Sequence, residues 1–136
     1  GHEAALLGLT EVLASRGQDE EAAKLLEQVS AGADTEKLSS LLRVRRRARE
    51  FGESEVLRRQ LEEKPDDADL NYRLGCVLAA NEDYEEAFER FLAAAKADRA
   101  FATSSVREAM VDVFHVVGLR SPLADEYRKK LSSLLY

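Results

Sequence analysis

Apolar residues recur every three or four positions along most of this chain, with polar and charged residues between them. Such spacing places the apolar side chains on one face of a helix with about 3.6 residues per turn. The clearest case is residues 65–98, where two stripes are separated by a short polar turn. The first stripe contains Leu70, Leu74, Val77 and Leu78, and the second contains Ala87, Phe88, Phe91, Leu92, Ala94 and Ala95. This pattern predicts a helical hairpin.

The turn inside this hairpin contains residue types that suit helix ends. We expect Asn81 to adopt the left-handed conformation that commonly ends a helix. Asp83 is expected to cap the second helix through its side chain, with Glu86 completing a capping box.

The same periodicity extends over the rest of the chain. Gly1 and His2 resemble the remnant of a cleaved tag on part of a longer protein, so residues 1–2 are left out of the prediction. Residues 3–136 are predicted to be a single all-α domain, a right-handed α-solenoid of about eight antiparallel helices with a concave face for binding. Its four hairpins are expected at 3–34, 35–64, 66–99 and 102–136, and Arg99–Thr103 is predicted to be a connector.

The composition limits the fold classes and the types of partner that are expected. The chain has 136 residues, with only 7 glycines and 2 prolines, which favours helices over an all-β fold. No apolar run approaches the roughly 20 residues that span a bilayer, so no membrane is expected as a partner. A net charge of -6 disfavours nucleic acid.

No set of residues with catalytic spacing is present in the sequence. Cys76 is the single cysteine, which excludes an internal disulfide, and we expect it to be a buried apolar residue rather than a redox group. No second histidine or carboxylate stands three or four positions after His115, the spacing of metal ligands on a helix. We therefore predict no catalytic residue, no metal ligand and no cofactor, and the chain is not expected to be an enzyme.

Two segments are candidates for binding. The first is the basic cluster of Arg43, Arg45, Arg46, Arg47 and Arg49. It could bind an acidic partner or phosphate, but the favoured interpretation is a solvated helix face partly paired with nearby glutamates. The second is the last helix, which could either cap the core or serve as an exposed docking peptide, and the sequence favours neither.

Residues 66–99 resemble a tetratricopeptide repeat (TPR), a helical hairpin of about 34 residues. Leu74 and Gly75 occupy the Leu-Gly pair of its first helix, and Ala87, Phe91 and Ala94 occupy the small, aromatic and small positions of its second helix. The small residues let two helix backbones approach closely. Residues 3–34 match the repeat loosely, and 35–64 form only a TPR-like hairpin. The TPR register implies that the concave groove is lined by Asp69, Tyr72 and Arg73.

Residues 65–136 are also similar to a more specific family, the bacterial thioredoxin-fold co-chaperones with a carboxyl-terminal TPR domain. The resemblance rests on the repeat, the connector ending at Phe101, the segment from Arg107 to Phe114, Ser121-Pro122, and the final run from Tyr127 to Tyr136. It implies an amino-terminal thioredoxin domain in the same chain, a location in the bacterial cytoplasm, and a role in binding client proteins. It also implies that the last helix docks on the chaperonin, through Tyr127, Arg128, Leu131, Leu135 and Tyr136.

Two alternatives remain open at this stage. The chain could be the substrate-recruiting or dimerising half of a thioredoxin-type disulfide oxidoreductase that serves cell redox homeostasis. It could also be a generic TPR scaffold, which would have no use for the terminal Tyr-Arg-Lys-Lys-Leu helix.

Overall fold

In the computed structural model, residues 1–135 are described, and they form nine α-helices and no strand. The all-α prediction is confirmed. Tyr136 lies outside the described residues. The helices are α1 (His2–Ser15), α2 (Asp19–Leu26), α3 (Ala33–Arg49), α4 (Ser54–Glu63), α5 (Ala68–Ala80), α6 (Tyr84–Ala97), α7 (Arg99–Thr103), α8 (Ser105–Val117) and α9 (Pro122–Leu135).

Helices α5 and α6 form the central hairpin that the pattern of apolar residues predicts. Asp67 caps α5, because its carboxylate accepts a hydrogen bond from the Leu70 backbone N–H at 2.9 Å. Phe88 and Phe91 of α6 are both buried, and the Phe91 ring lies beside Gly75 of α5. This hairpin has the most extensive helix-to-helix contact among the described residues.

The turn between α5 and α6 differs from the prediction by one residue. Asn81 has φ of -84°, and Glu82 takes the left-handed conformation instead, with φ of 68°. The Glu82 N–H donates to the Ala79 carbonyl and the Asp83 N–H to the Leu78 carbonyl, which is the pattern of a Schellman motif. The Asp83 side chain makes no capping hydrogen bond, so the predicted capping box with Glu86 is wrong.

The predicted connector after α6 contains the short helix α7. Asp98 begins it, since its carboxylate accepts a hydrogen bond from the Ala100 N–H at 3.0 Å. Five residues are too few to show an apolar period, which explains why the sequence pattern does not reveal this helix. Ser121 caps α9, because its hydroxyl accepts a hydrogen bond from the Ala124 N–H at 3.1 Å, and Pro122 follows it as the first residue of the helix.

Helix α3 belongs to two separate apolar cores. Its first half contributes Leu38 and Leu42 to a small core with α1 and α2. Its second half contributes Val44 to the larger core, which is formed by residues of α4–α9. Although α4 follows α3 directly, α3 packs against α5 and α8 while α4 packs against α5. Residues 35–64 therefore do not close as the hairpin that the sequence predicts.

Helix α8 lies beside α3. In a regular stack of helical repeats, each unit contacts mainly the one before it, which here is the α5–α6 hairpin. Helix α8 contacts α6, but its contact with α3 is far more extensive than its contact with α5. Its apolar stripe, including Val106, Met110 and Val113, is buried. The displaced position of α8 decides which surfaces remain open for binding.

Candidate protein-binding surfaces

Tyr72 on α5, which the TPR register assigns to the groove, is a half-buried member of an aromatic cluster. Its ring centroid lies 6.0 Å from that of Phe51, 6.0 Å from that of Phe91 and 5.7 Å from that of Phe101. Burial raises the pKa of the Tyr72 hydroxyl well above its usual value. Because Phe101 belongs to α7, this part of the predicted groove is covered by the chain itself.

The other two predicted groove residues keep more exposure. Arg73 lies over the Phe51 ring at 5.0 Å, and its Nε is 2.8 Å from the Asp69 carboxylate, one helical turn earlier. Both side chains are near half exposure, so this ion pair adds little stability. Asp69 and Arg73 remain accessible to a partner, whereas Tyr72 serves the core.

Cys76 lies one turn further along the same face of α5. It is buried, and it lines a small apolar gap together with Val44, Ala109 and Val113, which belong to α3 and α8. Burial raises the pKa of its thiol to about 11. The expectation that Cys76 is buried is confirmed, and α8 closes this end of the groove.

Helix α9 turns its apolar side chains toward the core. Tyr127 is only 1% exposed, its ring stacks on Phe88 at 4.8 Å, and its hydroxyl donates a hydrogen bond to Glu89 at 2.6 Å. Leu131 is buried in the same core. The prediction that a partner touches Tyr127 and Leu131 directly does not fit this geometry, since both face inward to hold the helix.

The outer face of α9 is charged. Arg128 is exposed, with its guanidinium 5.8 Å from the Phe114 ring centroid and Nη1 donating to the Leu119 carbonyl at 3.0 Å. Leu135 is half-buried against the core. Of the five residues that the resemblance assigns to docking, Arg128 is therefore the most accessible among those described, and Tyr136 is not described.

The arginines of α3 make long-range ion pairs in addition to one pair with a nearby glutamate, Arg43 with Glu36 at 3.4 Å. Arg43 and Arg47 both contact Asp112 of α8, at 2.9 and 2.8 Å, and Arg45 contacts Asp19 of α2 at 3.1 Å. Asp112 is buried, and its hydrogen bond is the main reason that the pKa of Arg43 is raised. Much of the predicted basic cluster thus joins helices together.

Sequence reasoning missed Asp112 as a structural residue. The available signal was its position, because it is a charged residue inside the apolar stripe of α8, between Met110 and Val113. A buried carboxylate needs a partner, and it is much less costly to bury when two guanidinium groups contact it.

A cleft of about 430 Å³ opens beside this ion pair, between α3 and the start of α8. Its walls are formed by Arg43, Arg47, Thr103, Ser104, Arg107, Glu108, Val111 and Asp112. Three of the eight are arginines, so the cleft presents hydrogen-bond donors to an acidic group.

Comparison with known families decides what kind of protein this is. The tetratricopeptide repeat family model matches residues 47–136, which is most of the chain. The chain belongs to the tetratricopeptide repeat family. Domains of this family generally mediate protein–protein interaction and are typically non-catalytic. Protein binding is therefore the general function of this TPR domain, and the accessible surfaces above are its candidates.

No curated protein and no solved structure matches this TPR chain. None of the described helices is long and apolar enough to cross a membrane. Within residues 1–135, His, Cys, Asp and Glu side chains form no cluster of three or more that could hold a metal ion.

Proposed function

We propose that this chain is the protein-binding part of a thioredoxin-like co-chaperone, which binds client proteins and docks on a folding chaperonin. The observation that carries the proposal is the terminal helix α9. Its sequence bears the Tyr-Arg-Lys-Lys-Leu run of that co-chaperone family, and its inner face fixes it to the core through Tyr127 and Leu131. A helix held in this way presents its outer side chains in one fixed arrangement.

In this proposal the docking residues have two different roles. Tyr127 and Leu131 position the helix, while Arg128 and the end of the chain, with Leu135 and Tyr136, are the contacts for the chaperonin. Arg128 suits this role because it is exposed and its side chain is oriented by Phe114 and the Leu119 carbonyl. Preorganisation of this kind lowers the entropy cost of binding.

The alternative role in disulfide exchange is not supported by the thiol of this chain. Cys76 is buried and its pKa is raised to about 11, so the nucleophilic thiolate is scarce near neutral pH. Any redox chemistry would belong to the thioredoxin domain that the proposal places in the same protein.

The test is binding of the chain to purified bacterial chaperonin, measured by biolayer interferometry. Arg128→Glu should weaken binding at least tenfold, because it reverses the charge of the contact while leaving the buried anchors in place. Arg59→Glu is the matched control, since Arg59 is exposed on α4 and the charge change is the same. It should bind like the unmodified chain.

Circular dichroism of both variants must show the same helical content and a similar melting temperature. If the unmodified chain does not bind, or if the two variants lose binding equally, α9 is not a docking element and the proposal is overturned.

A further inference from the structure

The cleft between α3 and α8 contains more positive charge than its own carboxylates neutralise. Asp112 is shared by Arg43 and Arg47 at its floor. Arg107 is exposed on the first turns of α8, and no carboxylate of residues 1–135 lies within ion-pair distance of it. Among the described residues, Asp112 and Glu108 are the acidic residues that line the cleft. Arg107 therefore offers its full set of donors to a partner.

Arg43 and Arg47 also keep unused donors. Arg43 donates through Nε to Asp112, and through Nη2 to Ser40 and Glu36. Arg47 approaches Asp112 through Nη1. A guanidinium has five N–H groups, so each side chain has more donors than these contacts use. Because Asp112 fixes both guanidinium groups, a bound carboxylate would meet donors that are already oriented.

An exposed apolar side chain lies at the rim of the same cleft. Val111 is 41% exposed and follows Arg107 by one helical turn. An apolar contact next to arginine donors suits a peptide in which apolar and acidic residues are close together. Charge complementarity supports such a partner further, because three arginines and only two carboxylates line the cleft, although the chain as a whole carries -6.

We propose that the cleft between α3 and α8 binds an acidic peptide segment that carries an apolar side chain. Carboxylates of the peptide contact Arg107, Arg43 and Arg47, and the apolar side chain packs on Val111. This surface is separate from α9, so the proposal goes beyond docking on a chaperonin and defines a second partner class for the same domain.

The experiment is fluorescence anisotropy with a labelled peptide of three Asp-Leu-Glu-Ser repeats. Two further peptides separate the contributions: Asn-Leu-Gln-Ser repeats remove the charge, and Asp-Ser-Glu-Ser repeats remove the apolar side chains. Only the first peptide should bind tightly. Raising the salt concentration from 50 to 300 mM should weaken its binding, because exposed charges are screened.

The variants test the place of binding. Arg107→Glu should weaken binding of the acidic peptide at least tenfold, and Val111→Ser should weaken it several-fold. Arg120→Glu is the matched control, because Arg120 is exposed near the other end of α8 and does not line the cleft. It should stay within twofold of the unmodified chain.

Three results would overturn the proposal: no binding of the acidic peptide, equal binding of the uncharged peptide, or equal losses for Arg107→Glu and Arg120→Glu. A single-stranded oligonucleotide that displaces the peptide at equal concentration would also overturn it, in favour of a general anion site. The two surfaces are distinguished by exchanging variants. Arg128→Glu should leave peptide binding unchanged, and Arg107→Glu should leave chaperonin binding unchanged.

Discussion

Gly75 sets the distance between the two helices of the central repeat. A methyl group at this position would lie 2.7 Å from two ring carbons of Phe91 and 3.2 Å from the Ala87 carbonyl oxygen. Phe91 is 1% exposed, so its ring has little room to move. The close approach of α5 and α6 therefore depends on the absence of a side chain at Gly75.

Gly75→Ala should lower the free energy of unfolding by about 1–3 kcal/mol, the usual cost of overpacking a core. This figure is a net loss: the higher helix propensity of alanine stabilises the variant by up to ~1 kcal/mol, and the overpacking outweighs it. Urea denaturation followed by circular dichroism measures it. Gly8→Ala on α1 is the control, because nothing lies within 4 Å of its added methyl group. It should be neutral or stabilising; a loss at Gly8 as large as at Gly75 would contradict the packing argument.

Among the side chains of helix α9, Tyr127 contributes most to holding the helix against the core. Tyr127 stacks on Phe88, its hydroxyl bonds Glu89, and the ammonium of Lys130 lies 4.6 Å from its ring centroid. Arg99 Nη2 donates to the Leu134 carbonyl at 3.3 Å at the end of the helix. These contacts place α9 against α6, α7 and α8.

Tyr127→Ala should destabilise the domain by about 3–5 kcal/mol, because a large buried ring leaves a cavity. Tyr127→Phe keeps the ring and loses only the hydroxyl contact with Glu89, so it should cost about 1 kcal/mol. Thermal and urea unfolding of the two variants measure the difference. If Tyr127→Ala is as stable as Tyr127→Phe, the ring is not an anchor and α9 is held by other contacts.

At the scale of the molecule, the two cores differ greatly in size. Among residues 1–135, the core shared by α1, α2 and the first half of α3 contains five buried apolar residues, whereas the larger core contains 23. On α1, Leu9 and Val12 are exposed, so this helix buries little apolar surface. Local stability follows buried apolar contact, so the two regions should open with different free energies.

Backbone amides in α1 and α2 should exchange with deuterium at least tenfold faster than those in α5 and α6, as measured by mass spectrometry of peptic peptides. Within α3, the amides of the second half, near Val44, should exchange more slowly than those of the first half. Uniform exchange over all helices would show that the domain opens only as a whole.

The sequence predicted those parts of the fold that depend on local pattern. The pairing of α5 with α6 and the close approach of their backbones at Gly75 and Ala87 both follow from spacing within a single repeat. The position of α8 could not be read in this way, because Arg43 and Asp112 are separated by 69 positions along the chain. Periodicity indicates which face of a helix is buried, but it does not identify the helix that covers it.

For the same reason, some of the predicted site residues are accessible and others are buried in the core. Tyr127 and Tyr72 are amphipathic, and the sequence alone does not distinguish an aromatic residue that contacts a partner from one that fills a core. Arg128 and Arg73 remain accessible because long charged side chains place their head groups in water. The exposure of each side chain decides between these roles. That exposure depends on where α7 and α8 pack, which the local sequence pattern does not predict.

The short helix α7 limits how this repeat array can grow. A solenoid can lengthen by duplication when each repeat offers the next repeat the same packing surface that it used on the repeat before it. Here α7 turns the chain so that α8 packs beside α3, and the receiving face of α5 is already occupied by Phe101 and the start of α8. A copy of residues 66–99 inserted after Asp98 would have to displace Phe101 and the α8 residues from this face before it could pack on α5.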